Sequence, residues 1–395
     1  MTGERAATHE VPTGGAAPAA PASGRVVLFG ATGYAGELTA REMARRGMRP
    51  VLAGRDARRL EALADELGGL DTQVADAREM GSVAALVDAG DVLVTTVGPF
   101  LRVGGAALEA ALRKGAHYVD STGEAPFVWR VFEHAGPRAQ QAGVGLLTAM
   151  GYDFVPGNLA GALALSEAGE QARRLDVGYF WRGTGGAPGG GAGGGLSGGT
   201  RASAAGTALE PAHTWRAGRL VAERSARRVR SFELAPGRSS AALSIGGSEQ
   251  LALPRLAPGL REIDVYLGWF GPATRVLQAL SAAGAVLTAL PGMRTGLREL
   301  TGRLVKGSTG GPDATTRARS RSTVIAEAFD AGGHLAARVR LEGPNGYDLT
   351  AGLLAWAAER VAGGGLHGAG ALGPVDGLGL DELEAGAAEL GLVRV

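Results

Sequence analysis

Through the first third of the chain, short strand-like runs alternate with stretches whose apolar positions fall three and four apart. The runs are Val26–Phe29, Pro50–Ala53, Thr72–Ala75, Val92–Val97, His117–Asp120 and Val144–Ala149. Val92–Val97 is a continuous apolar run, as a strand buried on both faces requires, and Thr72–Ala75 is a weaker strand. Between them lie Glu37 to Arg46, closed by Gly47, and Leu60, Leu63, Ala64 and Leu67 behind Asp56. Next come Met80, Val83, Ala84 and Val87 before Gly90, then Ala107, Leu108, Ala111 and Leu112 before Gly115. Each set gathers its apolar residues on one helical face. Asp56 is placed to cap its helix, and Gly68-Gly69 to end it. Pro126 to Gln141 also reads as helix, broken near Gly136-Pro137. Six strands alternating with helices predict a parallel, doubly wound sheet. Right-handed crossovers then put every strand-to-helix loop on one edge, where ligands bind at the reversal of strand order.

Past Asn158 this alternation stops. Residues 214–267 alternate polar and apolar in several short runs and predict a strand-rich second domain. Thr323–Phe329 and Leu335–Leu341 read as paired strands around Asp330–Gly333, and Tyr347–Ala362 as a helix. The end, Gly370–Val395, carries Pro374, an acidic helix and an apolar Leu392-Val393. Gly183–Gly199 is more than half glycine. Such a segment cannot bury enough surface to be rigid alone, so it reads as a mobile loop, either a lid over substrate or a surface linker. Ser197 and Thr200 are placed to cap a helix starting near Arg201. Val276–Leu290 is apolar apart from Gln278, Ser281 and Thr288. It falls short of the roughly twenty residues that cross a bilayer. It reads as a buried helix, with a weak membrane-surface contact as the other reading. The expected division is a disordered tail over 1–23, a dinucleotide-binding domain over 24–158, a substrate domain over 159–345, and a segment over 346–395 that returns to the first domain.

The turn after the first strand, Gly30-Ala31-Thr32-Gly33-Tyr34-Ala35-Gly36, gives the first chemistry. Glycines let the backbone come close to a ligand, and the first N–H groups of the following helix point at an anion. Its strand-then-helix context marks a dinucleotide pyrophosphate site. The end of the second strand selects the cofactor. An NAD site places an acidic side chain there to bond the ribose hydroxyls. Here stands Gly54-Arg55, with Arg58 and Arg59 one turn on. A guanidinium suits a 2′-phosphate, so NADP is expected. Asp76, after the third strand, reads as an adenine contact or as the next helix cap.

Three further loops share that edge: Val97-Gly98-Pro99-Phe100, Asp120-Ser121-Thr122-Gly123-Glu124 and Gly151-Tyr152-Asp153 through Asn158. They should converge near the reactive end of the dinucleotide. Hydride transfer needs orientation and a proton source rather than a nucleophile. Tyr152, Asp153, Ser121 and Glu124 are the candidate catalytic residues. No tyrosine is followed four places on by lysine, which excludes the Tyr-x-x-x-Lys mechanism of short-chain dehydrogenases.

Composition narrows the class. The 395 residues are 45% hydrophobic with a net charge of +1, which suggests two domains with ample core and argues against nucleic-acid binding. The absence of cysteine excludes disulfides and thiolate chemistry. The six histidines are scattered, none at metal-ligand spacing, so no metal site is expected. Residues 1–23 lack the basic start and apolar middle of a secretion signal, making the cytoplasm the default compartment.

Several of these motifs carry a resemblance. They are Gly30–Gly36, Ala53-Gly54-Arg55, Val97–Phe100, Tyr118–Glu124 and Gly151–Pro156 in the first half. In the second half they are Tyr266-Leu267-Gly268-Trp269, Gly343-Pro344-Asn345-Gly346-Tyr347 and Gly373-Pro374-Val375-Asp376. With them the chain resembles the saccharopine dehydrogenase-like NADP-binding oxidoreductases, and more closely the actinobacterial trans-acting enoyl reductases. The resemblance implies an α/β fold, a Rossmann-type doubly wound parallel sheet with a second, mixed α/β substrate domain. It implies reduction of a C=C bond in a polyketide or lipid intermediate, small or carrier-bound, supplied by a partner polyketide synthase. On this reading hydride reaches the β carbon, loop groups hold the enolate oxygen, and Tyr152 or solvent protonates the α carbon. Two alternatives stay open: a C=N or C=O reductase on the same scaffold, and a non-catalytic NADP-binding protein. A basic cluster for an amino-acid carboxylate has only Arg201 and Arg182 as candidates. A homodimer is one reading of the oligomeric state.

Overall fold

The computed structural model describes residues 24–183, 212–288 and 310–395. The first sheet is built from β1 (Val26–Phe29), β2 (Val51–Gly54), β3 (Thr72–Val74), β4 (Val92–Thr95), β5 (His117–Asp120), β6 (Gly145–Leu147) and, from the far end of the chain, β15 (Gly370–Leu372). These seven strands are parallel and lie in the order β15-β6-β5-β4-β1-β2-β3. The chain order reverses between β1 and β4, which opens a crevice at their carboxyl ends. Apolar runs in the sequence become strands buried on both sides: Leu28, Leu52, Val94 and Val119 face one layer, Val27, Ala53, Leu93 and Tyr118 the other.

The helices divide between these layers. On the first face lie α1 (Tyr34–Arg45) and α2 (Ala57–Glu66). On the second lie α4 (Gly105–Lys114), α5 (Ala125–Arg130) and α6 (Gly136–Ala142), with the short α3 (Met80–Ala84). Asp56 accepts from the Arg59 amide and caps α2, and Gly115 ends α4 in the left-handed region, as their sequence positions predict. The half of the first face that α1 and α2 leave open is covered from the far end of the chain. There α9 (Gly346–Ala362) packs against α1 and beneath β4 and β5.

The strands of the second sheet are β7 (Arg174–Gly183), β8 (Ala212–Arg216), β9 (Arg219–Glu223), β10 (Val229–Ala235), β11 (Arg238–Ile245), β12 (Glu262–Leu267), β13 (Ser320–Phe329), β14 (Leu335–Gly343) and β16 (Val393–Arg394). They run β10-β11-β12-β7-β13-β14-β16, with β8 and β9 as a hairpin beside β12. The sheet curls until its ends meet. Arg338 and Arg340 of β14 donate to the carbonyls of Glu233 and Leu234 on β10. These guanidiniums take the place of the backbone ladder that would close a barrel. Inside the curl sit Phe180, Phe232, Tyr266 and Ile325. Outside it α7 (Val155–Ala168), buried on nearly all sides, joins the two sheets. The last residues divide: β15 extends the first sheet, while β16 pairs with β14 in the second.

One expectation is corrected. The helix read as buried, α8 (Thr274–Thr288), leaves Val276 and Leu280 about 60% exposed. Its polar residues make the contacts: Gln278 donates to the Arg227 carbonyl and Ser281 to that of Ser225. Hydrogen bonds to the β9–β10 loop thus hold the helix, and Val276 and Leu280 turn outward. No described helix is long and apolar enough to cross a membrane. The tail over 1–23, the glycine-rich stretch beyond Gly183, Ser197, Thr200 and Arg201 lie outside the described residues, as does the side chain of Arg182.

Candidate functional site

The glycine turn packs so closely that two of its glycines admit no side chain. Gly30 has φ of +96°, and a Cβ there would lie 2.7 Å from Thr96 Oγ1. A Cβ on Gly36 would lie 2.0 Å from the Gly30 carbonyl oxygen. The Gly30 amide donates to Ala53 on β2, and the Gly33 amide to Gly30. Gly33 precedes α1 in an extended conformation without a side-chain cap. The first helical amides, Tyr34, Ala35 and Gly36, therefore have no partner within the helix and face the crevice beside Thr32. This shape and polarity fit a pyrophosphate. The Tyr34 side chain reaches elsewhere. Its hydroxyl donates to the Pro312 carbonyl and accepts from Arg317, and its ring meets Tyr347 edge-on at 5.1 Å. The backbone of Tyr34 belongs to the cradle while its side chain ties the cradle to the second half of the chain.

At the end of β2 the three arginines separate by partner. Arg59 donates to the Thr32 carbonyl at 2.6 Å and to Glu37 at 2.7 Å, bracing the turn. Arg55, immediately after the strand, is exposed and hydrogen-bonded to no described residue, which leaves its guanidinium for a 2′-phosphate. Asp76 is engaged differently. Both its oxygens accept from Arg78, whose side chain and backbone amide hold its carboxyl down to about 2.

The three loops beyond β4, β5 and β6 are stiffened by their own carboxylates. Glu124 accepts from the amides of Phe100 at 2.7 Å and Leu101 at 2.9 Å. It thereby fixes the turn of Val97, Gly98, Pro99 and Phe100, whose Gly98-Pro99 peptide is cis. Fully buried Asp120 accepts from the amides of Thr122 and Ala149 and from the Thr148 hydroxyl, binding the ends of β5 and β6 together. Burial raises its carboxyl above the usual range, and these donors work against that. Ser121 is half-buried at the same edge, with its hydroxyl free of any described partner. Asp153 sits across from it. Its carboxyl lies over Gly123, where a Cβ would come within 2.1 Å of Oδ2, and it hydrogen-bonds to no described residue. Burial pushes it up to about 6.

The wall opposite these loops comes from the second sheet. Tyr152 stacks on Trp269 at 6.4 Å and meets Tyr179 and Trp181, both from β7, edge-on at 6.0 Å. Burial and the Asp153 charge drive its hydroxyl well above the ordinary tyrosine value, with the Trp269 N–H working weakly the other way. Tyr179 accepts from the Gly157 amide at 2.9 Å and donates to Glu249 Oε1 at 2.6 Å. Glu249 is fully buried, and burial raises it to about 8. No arginine or lysine figures among the groups that shift Tyr152, Asp153, Tyr179 or Glu249.

The fold thus brings Ser121, Tyr152 and Asp153 to one edge with the cradle, and uses Glu124 and Asp76 to hold backbone and Arg78. Sequence reading missed Glu249, Trp181 and the part played by Trp269. The one signal for Glu249 was the Gly246-Gly247 pair before it: a Cβ on Gly247 would fall 2.2 Å from its Oε2. Among the described residues no group of three or more His, Asp or Glu could hold a metal.

Residues 26–145 match the family described as saccharopine dehydrogenase NADP binding domain. A trans-acting enoyl reductase of Mycobacterium ulcerans is 36% identical over 140 residues, and one of Mycobacterium tuberculosis is 34% identical over 140 residues. Each match spans 34% of this chain and 34% of the relative's own length. Among solved structures, saccharopine dehydrogenase (L-Glu forming) from Saccharomyces cerevisiae aligns with a TM-score of 0.63 over 94% of this chain and 99% of that one. At 13% identity the likeness is one of fold.

Proposed function

We infer that this chain, whose first domain is of the saccharopine dehydrogenase NADP-binding type, is an NADPH-dependent reductase of an activated C=C bond. Its acceptor is an acyl intermediate of the kind a polyketide synthase carries, and the chain acts in trans as an enoyl reductase. The cradle at Gly30–Gly36 and the unengaged Arg55 fit NADP, which when bound supplies the hydride. The observation that carries the acceptor class is the aromatic wall opposite the cradle. The rings of Tyr152, Trp181 and Trp269 form it, and no described arginine or lysine figures among the groups acting on Tyr152 or Asp153. An α-amino-acid carboxylate would need a paired cation there, whereas a neutral acyl group would not. The names of the mycobacterial relatives support the same reading.

Within this site the chain's residues divide the work. Val97–Phe100, braced by Glu124, and Ser121 flank the place where the acceptor meets the cofactor. Asp153 is protonated below about pH 6 and delivers the α proton from its position over Gly123. The test is NADPH oxidation, followed by absorbance, with crotonyl-N-acetylcysteamine as acceptor and an amine plus ketone as the rival pair. Turnover of the thioester is expected. Turnover of the imine alone would replace this reading with the C=N reductase, and tight NADPH binding without consumption of either would replace it with a binding protein.

A further inference from the structure

Buried hydrogen-bonding atoms without partners are rare, and each is costly unless a ligand completes it. Three of them, all able to donate, cluster on the wall described above; none has a partner in good hydrogen-bond geometry, although the Trp269 N–H lies near enough to Tyr152 Oη to act on it. They are Tyr152 Oη, Trp181 Nε1 and Trp269 Nε1. The three rings form a nearly equilateral group, with centroids 6.0 Å, 6.2 Å and 6.4 Å apart. They come from three separated segments: the loop after β6, strand β7 and the turn after β12. Trp181 and Trp269 are half-buried, so the group lies near the surface rather than in the deep core. The arrangement is held from behind. A Cβ on Gly346 would lie 2.7 Å from the Tyr152 ring and 3.2 Å from that of Trp181, so only glycine lets the rings come together here. The Tyr152 amide is fixed by Thr350 Oγ1 at 3.0 Å.

Two of the loop groups that a sequence reading would give the substrate oxygen are otherwise occupied. Asp120 and Glu124 accept backbone amides and have no donor to offer while ionised. We propose that Tyr152, Trp181 and Trp269 form a donor pocket for the carbonyl oxygen of the acyl substrate, so that the second domain supplies two of the three oxyanion donors and the pocket selects thioesters and related neutral carbonyls. This rests on the reading of the chain as a double-bond reductase. Hydride from NADPH forms the new C–H bond at the β carbon. The C=C π electrons move toward the carbonyl, and its oxygen takes the charge, which the phenol and the two indole N–H groups meet. The enolate then collapses as its α carbon takes the proton from Asp153. The balance is enoyl thioester plus NADPH plus one proton, giving acyl thioester plus NADP⁺. Neutral donors in a dry aromatic setting stabilise a charge that develops only in the transition state, which is where such donors act most strongly.

The test labels the five tryptophans with 5-fluorotryptophan and assigns Trp181 and Trp269 by their Phe variants. Full-length protein with NADP⁺ is titrated with crotonyl-N-acetylcysteamine and, separately, with the but-2-enyl thioether that lacks the carbonyl. The Trp181 and Trp269 resonances are expected to move with the thioester and not with the thioether. Tyr152→Phe, which keeps the ring, is expected to lower kcat by roughly ten- to a hundred-fold while KM stays within about three-fold. Equal response to both probes, no response at saturating thioester, or an unchanged kcat in Tyr152→Phe overturns the pocket. If the wild type still reduces the thioester in those cases, the reductase reading stands without it. If the wild type reduces only an imine, the reading falls and the pocket with it.

Discussion

Replacing Glu249 by Gln should make the protein less sensitive to alkaline pH. Glu249 is fully buried, with one oxygen on the Tyr179 hydroxyl and the other unpartnered. Burial lifts it from the ordinary 4.5 to about 8 in the folded state. The unfolded chain releases this proton near 4.5, while the folded chain keeps it until about 8. Between those values unfolding is favoured by proton release, so stability falls as pH rises, and above about 8 the loss is complete. Each pH unit of that gap corresponds to about 1.4 kcal/mol, which sets an upper bound of about 5 kcal/mol. Relaxation and water entry reduce such bounds, and a loss on the order of 2–4 kcal/mol is the reasonable expectation. Asp153, lifted to about 6, adds a smaller loss of the same sign at lower pH. Gln keeps an acceptor for Tyr179 and cannot ionise. Thermal unfolding of wild type and Glu249→Gln at acidic, neutral and alkaline pH, on either side of about 8, measures the difference. The wild type should lose clearly more melting temperature from the acidic to the alkaline end than the variant. Parallel curves would refute the argument, because they would mean that Glu249 is charged or hydrated at neutral pH.

Three other outcomes follow from the site. Arg55→Ala should weaken NADPH binding by roughly ten- to a hundred-fold, the worth of one charge-assisted contact, and leave NADH binding unchanged; calorimetry with both cofactors checks it. Gly36→Ala places a Cβ 2.0 Å from the Gly30 oxygen, so the turn must open. We expect a destabilisation of about 1–3 kcal/mol and a loss of NADPH affinity, seen by cofactor titration and melting, with the fold retained by circular dichroism. Asp153 acts in its protonated form, so wild-type kcat/KM should decline as pH rises through about 6. Asp153→Asn should lose on the order of a hundred-fold in rate and flatten that profile. A variant whose pH profile still breaks near 6 would assign the proton to another group.

Local and periodic features are legible in the sequence alone. The Gly30–Gly36 turn can be read because its glycines and its flanking strand and helix are contiguous. The doubly wound order can be read because strands buried on both faces leave unbroken apolar runs such as Val92–Val97. Asp56 and Gly115 stand out because caps act on the next or preceding turn. Packing alone fixes whatever depends on partners far along the chain. Glu124 and Asp153 are both acidic residues in loops on one edge, and nothing in the sequence separates them. The fold does: one carboxylate meets the Phe100 and Leu101 amides, while the other lies over Gly123 and hydrogen-bonds to no described residue. The helix at Thr274–Thr288 has enough apolar residues for a core, yet Gln278 and Ser281 find the carbonyls of Arg227 and Ser225 and turn Val276 and Leu280 outward. Glu249, Trp181 and Trp269 carry no spacing signal, since they reach Tyr152 and Tyr179 only when the second sheet curls against the first domain. The cradle for the cofactor is written in the consecutive residues Gly30 to Gly36. The wall facing it is assembled across the chain from Tyr152 to Gly346, because burial and desolvation belong to the packed whole.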